Sequence, residues 1–384
     1  MINDLNNMQV IIRHATKNGA SDIHMLQDSC VAYRIDGSIK QMKNYTVQKD
    51  DILNYFESVG VAKSNLDKLD YGEISAIDTS FNEGGCRYRA NIYRTNKGIC
   101  VAIRSFYEYI PDFDELYLPN VIKNYAMLRS GLVIITGVTG SGKSTTLASL
   151  IKLINNTRSD NIITIEDPIE YLHENKKCRI VQREKGIDFY DFNTAVKEAM
   201  RQDPDVILVG EMRDVETIRN TITLAETGHL VFGTLHASST IDVVDRLVDA
   251  FSANEKEMMR GIVSDVLKGV VYQYLVKRQN GVGRVPLCEV LTVDNVIKGA
   301  LRENNKSAII DRMRTSEATG CIEFVDRCAE LVHDGSVNKS DIYKIIDDNN
   351  IDYFDKKLKA LGEFVGLEQE QTTSRLLQSN HFKR

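Results

Sequence analysis

Nine consecutive residues, Gly137-Val138-Thr139-Gly140-Ser141-Gly142-Lys143-Ser144-Thr145, fit the pattern G-x-x-x-x-G-K-[ST]. The residue types suit one chemistry. Glycines let the backbone wrap a phosphate chain and aim its N–H groups inward. A helix starting at the loop adds the positive end of its dipole. Lys143 is then placed to reach the outer phosphates, and the Ser144 hydroxyl to ligate Mg2+. The loop is read as binding ATP or a related nucleoside triphosphate.

Further along, Glu211 follows the apolar run Val206-Ile207-Leu208-Val209-Gly210. A carboxylate just past a buried strand, beside a phosphate loop, suits the group that polarises an attacking water. The alternative is an exposed acid at a helix start. The usual motif has an Asp before this Glu to hold magnesium, and here that slot is Gly210. The metal contact must then come from Ser144, waters or another carboxylate. Glu166 and Asp167 end another strand-like run and Pro168 turns the chain, so they either orient water or magnesium or form a capped turn. His229 and His236 bracket a fourth run, either as packed histidines or as sensors of the terminal phosphate. Arg87 and Arg89 share one face of a strand whose other face is apolar, and Arg104 lies on the polar face of the next strand. They form a solvated sheet face unless another subunit sets phosphate against them.

The elements follow from spacing. Residues 132–136 form a short apolar, β-branched run before the loop, and Leu147, Leu150, Ile151 and Ile154 after it share one helix face. Runs at 162–165, 206–209 and 230–234 resemble the first. Strands alternating with helices predict a mostly parallel sheet covered on both faces, with ligands at the carboxyl ends of its strands. All four strands end in candidate residues, which is the internal argument for one composite site. A helix with Asp214 as cap, inner face Ile218, Ile222 and Ala225, and Gly228 as stop follows Arg213. Asn254 is read as capping a long helix carrying Met258, Ile262, Val266 and Val270.

The N-terminal part reads as a small α/β domain: a helix over 6–17 stopped by Gly19, a hairpin turning at Asp36-Gly37, a helix over 50–59, and strands at 73–81, 86–93 and 99–106. The predicted domains are 1–109, a linker at 110–120 with two of the five prolines, an ATPase domain at 121–290 and a helical, polar C-terminal region at 291–384.

Composition bounds the rest. The 384 residues are 42% hydrophobic and 27% charged, as in an ordinary folded protein. A net charge of −6, with no basic stripe interleaved with aromatics, disfavours nucleic acid as a direct partner. The seven cysteines include no C-x-x-C pair, so reduced thiols are expected rather than disulfides or zinc. Cys321 and Cys328, seven apart on an expected helix, are read as sharing its packing. The first residues do not read as a signal peptide and no apolar run approaches a membrane span, so membrane association is expected to be peripheral.

Five segments together resemble the secretion ATPases of type II secretion and type IV pili, above all the pilus retraction (PilT-type) ATPases. They are Ala20-Ser21-Asp22-Ile23-His24, the phosphate loop, an Asp box at 164–171, a Walker B segment at 203–214 that includes the Gly210-Glu211 pair, and a His box at 227–236. The resemblance spans about residues 8 to 335. It implies a RecA-like P-loop core behind a PAS-like N-terminal domain. It also implies a homohexamer, cytoplasmic and peripheral at the inner membrane, acting on a platform protein and the pilus base. Glu211 would be the catalytic carboxylate with Glu166 assisting, and Arg89 and Arg104 would reach the phosphates. Extension and type II secretion members usually carry a four-cysteine zinc module and an extra N-terminal domain. Neither is found in this sequence, which points to retraction over pilus assembly. The retraction motif Ala-Ile-Arg-Asn-Leu-Ile-Arg-Glu is kept in part at residues 296–303.

Overall fold

The computed structural model describes residues 8–35, 38–106, 109–281, 283–315 and 320–362, the side chains of residues 44 and 45 excepted. The chain divides into two compact units. The first runs through Ile110 and takes in Asp167–Glu174 and Glu184–Asp188 from later in the chain. The second holds Pro111–Glu166, Asn175–Arg183 and the remainder.

The first unit is built on strands β1 (Asp22–Leu26), β2 (Ser29–Ile35), β3 (Ser38–Val47), β4 (Ala76–Glu83), β5 (Cys86–Thr95) and β6 (Gly98–Ser105). They form one sheet in the order β3-β2-β1-β6-β5-β4 with antiparallel pairings. The Asp36-Gly37 turn lies outside the described residues, but Ile35 opposes Ser38 across it. Helices α1 (Met8–Lys17), α2 (Lys49–Ser58) and α3 (Lys63–Tyr71) accompany the sheet. Their apolar faces pack with Ile23, Tyr88, Ala90, Ile92 and Ile103 into one core. Alternation along a strand sends the polar residues to the opposite face. There Arg34, Asp22, Arg104 and Arg89 stand directly opposite one another across β2, β1, β6 and β5.

The second unit carries β7 (Gly131–Thr136), β8 (Asn161–Glu166), β9 (Arg179–Glu184), β10 (Val206–Val209), β11 (Leu230–Leu235), β12 (Leu267–Lys277) and β13 (Arg284–Thr292). The order is β13-β12-β7-β11-β10-β8-β9. The pairs β12/β7, β7/β11, β11/β10 and β10/β8 are parallel, and β12/β13 is antiparallel. Successive residues of β7 face opposite cores. Val133 and Ile135 meet α4 (Val121–Tyr125) and α5 (Lys143–Thr157). Leu132 and Ile134 meet α6 (Phe192–Ala199), α7 (Val215–Glu226), α8 (Thr240–Asp249), α9 (Lys256–Val266), α10 (Asn295–Arg302) and α11 (Lys306–Thr315). This is the two-sided burial of a parallel sheet. Beyond it, α12 (Phe324–His333), α13 (Lys339–Ile342) and a helix over residues 351–362 pack on the far ends of β12 and β13.

Several expectations are corrected. The helix after Asn254 ends at Val266, and Val270 lies on β12. The run Val270-Val271-Tyr272 is β-branched and aromatic, and it extends the sheet beside β7. Pro286 lies inside β13 rather than at the start of a helical region. Pro286 opposes Leu275 at the edge of the sheet, where a missing N–H is tolerated. Cys321 is not helical: it precedes α12 and packs in the core under α10 and α11. Cys328 belongs to a different cluster. Burial pushes the Cys288 and Cys328 thiols up to about 12. Helices α3, α4, α6 and α8 and strands β1, β9 and β13 are not among the expected elements.

Candidate active site

Three glycines of the loop take positive φ: Gly137 at 141°, Gly140 at 77° and Gly142 at 90°. At two of them a side chain would also collide. A Cβ on Gly137 would lie 2.2 Å from the Gln273 carbonyl oxygen, and one on Gly142 would lie 2.8 Å from Gln273 Nε2. Helix α5 starts at once with Lys143. The Lys143 ammonium donates to the carbonyls of Gly137 (2.9 Å) and Val138 (3.0 Å), so it lies across its own loop. The Ser141 hydroxyl is buried with no hydrogen-bond partner. A phosphate in the loop would supply one, and the loop's residues fit that ligand.

The ends of the neighbouring strands converge here. The Thr136 hydroxyl donates to Leu235 O (2.8 Å) and accepts from Ala237 N (2.9 Å), which locks the end of β11 to that of β7. His236 comes next. Its Nδ1 lies 3.3 Å from Gly137 O and its Nε2 3.3 Å from Glu211 Oε1. Glu211 Oε2 is also paired with Arg213 at 2.5 Å. The Gly137 carbonyl is thus the common partner of Lys143 and His236, and His236 hands on to Glu211. Half-buried Glu289 on β13 accepts from Thr240 N (2.8 Å), fixing the chain just after His236. Burial pushes the Glu289 carboxyl above its ordinary range, although the Thr240 bonds pull the other way.

Gly210 has a packing reason. Its N–H donates to Ile165 O at 2.8 Å, and its carbonyl accepts from the Thr234 hydroxyl. A Cβ there would lie 2.9 Å from Ile165 O and 3.2 Å from Glu166 Cα. The close approach of β10 to β8 excludes the aspartate that commonly precedes the glutamate. Glu166, at the end of β8, accepts from Thr164 Oγ1 (2.6 Å) and Gln182 Nε2 (3.2 Å). Asp167, in the first unit, pairs with Lys185 at 3.0 Å.

The structure therefore gathers Gly137 to Thr145, Glu211 and His236, with Glu166 on the adjacent strand end. His229, read either as a packed histidine or as a phosphate sensor, has the packed, hydrogen-bonded surroundings within this chain. It stands at the start of β11, seven residues before His236, which is about 23 Å along an extended chain. Its ring bonds Leu224 O (2.9 Å) and Thr227 Oγ1 (3.1 Å), and its carbonyl accepts from Gly131 N (3.0 Å). It closes the α7–β11 turn within its own chain. Arg89 and Arg104 oppose each other on the first unit's sheet, with Arg104 2.8 Å from Asp22 and Arg89 3.8 Å from Asp78. Arg87 departs from the solvated face: it is mostly buried in an ion pair with Glu184.

Sequence reasoning missed Gln273, Gln182, Thr136 and Thr234. Gln273 had a signal. It is a lone amide in the apolar run 270–276, and a buried polar side chain demands partners.

The family model described as Type II/IV secretion system protein matches residues 2–280. The chain is 38% identical over 331 residues to the "Type IV pilus retractation ATPase PilT" of Pseudomonas aeruginosa, covering 86% of this chain and 95% of that protein. It is 39% identical over 305 residues to the "Twitching motility protein" of Neisseria gonorrhoeae, covering 79% and 81%. The crystal structure of the pilus retraction motor PilT with bound ADP superposes with a TM-score of 0.83 at 38% identity, covering 90% of this chain and 99% of that one. With the family model matched over most of its length and a relative 38% identical across nearly all of that protein, the chain belongs to the Type II/IV secretion system protein family.

Proposed function

We propose that this protein hydrolyses ATP to ADP and phosphate and couples the reaction to type IV pilus retraction, working as a homohexamer. The observation that carries the proposal is the convergence of Lys143 and His236 on the Gly137 carbonyl, with Glu211 3.3 Å from His236. We read this loop as the phosphate cradle, Lys143 as its cation and Glu211 as the general base, which supports hydrolysis at these neighbouring strand ends. The identity to a retraction ATPase over nearly its whole length supports the direction of work.

In this reading Gly137 to Thr145 wrap the phosphates and Lys143 leaves its loop carbonyls for them. Glu211 orients and polarises the attacking water, and Glu166 assists from the adjacent strand end. His236 couples the phosphate loop to Glu211. Arg89 and Arg104 of one subunit reach the phosphates held by its neighbour. Ser144 would hold Mg2+, whose charge neutralises the phosphates when bound. Its hydroxyl stands at the N-terminal end of α5, and Glu211 and Glu166 offer the hard oxygen donors this ion prefers. The second unit is RecA-like, the first PAS-like, and the C-terminal helices complete the subunit. No helix among the described residues is long and apolar enough to cross a membrane. The motor works peripherally, at the cytoplasmic face of the inner membrane, against a platform protein and the pilus base.

Glu211→Ala should abolish turnover while sparing ATP binding, and wild-type specific activity should rise with protein concentration as rings assemble. Substantial turnover by the variant would remove Glu211 from its role. Deleting the gene in its host and counting surface pili tests direction. Excess pili and lost surface motility, restored by wild type and not by Glu211→Gln, support retraction. Bald cells would make it an assembly motor.

A further inference from the structure

We propose that Gln273 is a positioning residue for nucleotide binding: it holds the phosphate loop in its receptive shape without touching the nucleotide. The inference rests on reading Gly137 to Thr145 as the nucleotide site.

Gln273 lies on β12 one residue past Tyr272, which opposes Thr136 at the end of β7. It therefore stands beside the loop where β7 stops. Its side chain is buried, and both ends of its amide are used. Nε2 donates to the Ser141 carbonyl at 2.8 Å, and Oε1 accepts from the Thr146 hydroxyl at 2.8 Å. One side chain thus ties the middle of the loop to the first turn of α5, while its own backbone packs against Gly137.

The first bond has a consequence for anion binding. A trans peptide is planar, with its C=O and N–H pointing in opposite directions. Fixing the Ser141 carbonyl onto Gln273 therefore turns the Gly142 N–H away from Gln273. Phosphate loops bind through such N–H groups. The amide supplies a donor to the carbonyl and an acceptor to the hydroxyl together. Glutamate would set an acceptor against the Ser141 carbonyl, and leucine would leave both partners unsatisfied.

The test uses the full chain, a fluorescent N-methylanthraniloyl-ADP titration, and steady-state ATPase assays in Mg2+. Gln273→Leu should raise the Kd at least about tenfold, the scale of one buried hydrogen bond lost to binding. KM for ATP should rise by a similar factor with a smaller change in kcat, because Glu211 and His236 are untouched. A Kd within twofold of wild type in folded Gln273→Leu, or a loss confined to kcat, would overturn the proposal. If Gln273→Leu does not fold, Thr146→Val and Thr146→Ser decide. Weakened binding by the first, restored by the second, supports the role, and wild-type affinity in both overturns it. If the wild type itself fails to bind the probe, the nucleotide-site reading falls and takes this inference with it. Wild-type binding with unchanged variants sinks this inference alone.

Discussion

At Gly210 a single missing carbon shapes the site. The strand ends of β8 and β10 approach so closely that a Cβ would sit 2.9 Å from the Ile165 carbonyl. The glutamate that follows keeps its place because the residue before it has no side chain. Gly210→Asp should restore the common sequence pattern and damage the protein. Overpacking at that contact is expected to cost about 1–3 kcal/mol. It should appear as a lowered thermal midpoint together with lost turnover. An unchanged midpoint with retained turnover would show that β8 and β10 have room to part. The same scale explains the charges at rest. Lys143 is satisfied by two carbonyls, and Glu211 by Arg213 and His236. An incoming phosphate must compete for Lys143, and it does so with a full charge against a carbonyl dipole.

Among the elements, β5 shows how one alternating strand serves two environments. Tyr88, Ala90 and Ile92 enter the core, while Arg87 and Arg89 face the other way. Arg89 stays exposed, but Arg87 is covered by segments that return from residues 167–174 and 184–188. Arg87 Nε donates to Ile169 O at 3.2 Å, and its Nη2 bonds Glu184 and the Ser80 hydroxyl. Glu184 also accepts from Ile169 N at 3.1 Å. Removing the arginine leaves a carboxylate only 4% exposed without its cation. Arg87→Ala should therefore cost about 3–5 kcal/mol in denaturant unfolding. Adding Glu184→Gln should recover part of that loss. Equal stability of the single variant and wild type would mean the pair contributes nothing to holding these segments.

For the whole molecule, one chain brings the loop over residues 137–145, Glu211 and His236 together, and our proposal reads Glu211 as the base and takes the remaining cations from a neighbour. Arg104→Ala and Glu211→Ala should each be inactive alone. Mixed and reassembled, they should regain activity at interfaces that pair the intact Glu211 of one with the intact Arg104 of the other. ATPase assays across mixing ratios should show a maximum near equal amounts. A flat, inactive profile with rings formed would place both residues on the same chain's site.

Local spacing by itself determined the phosphate loop, the alternation of strand and helix in the second unit, the Asp214 cap and the inward face of β5. Each depends on neighbours within a few residues, where turn chemistry and periodicity act directly. It also brought Glu211 and His236 into view, because residues ending parallel strands share one edge of a sheet. The tertiary structure alone decided the rest. His229 and His236 look equivalent as brackets of one strand, yet a strand has two ends and only one meets the loop. Val270 fits a helical stripe, but β12 draws it into the sheet through hydrogen bonds to a strand some 130 residues earlier. Arg87 looks like its neighbour Arg89 until a distant carboxylate closes over it. Gln273 is one amide in an apolar run until the loop it supports is folded beside it. In each case the deciding partner is remote in the chain, and burial and pairing with remote partners outweigh the local pattern.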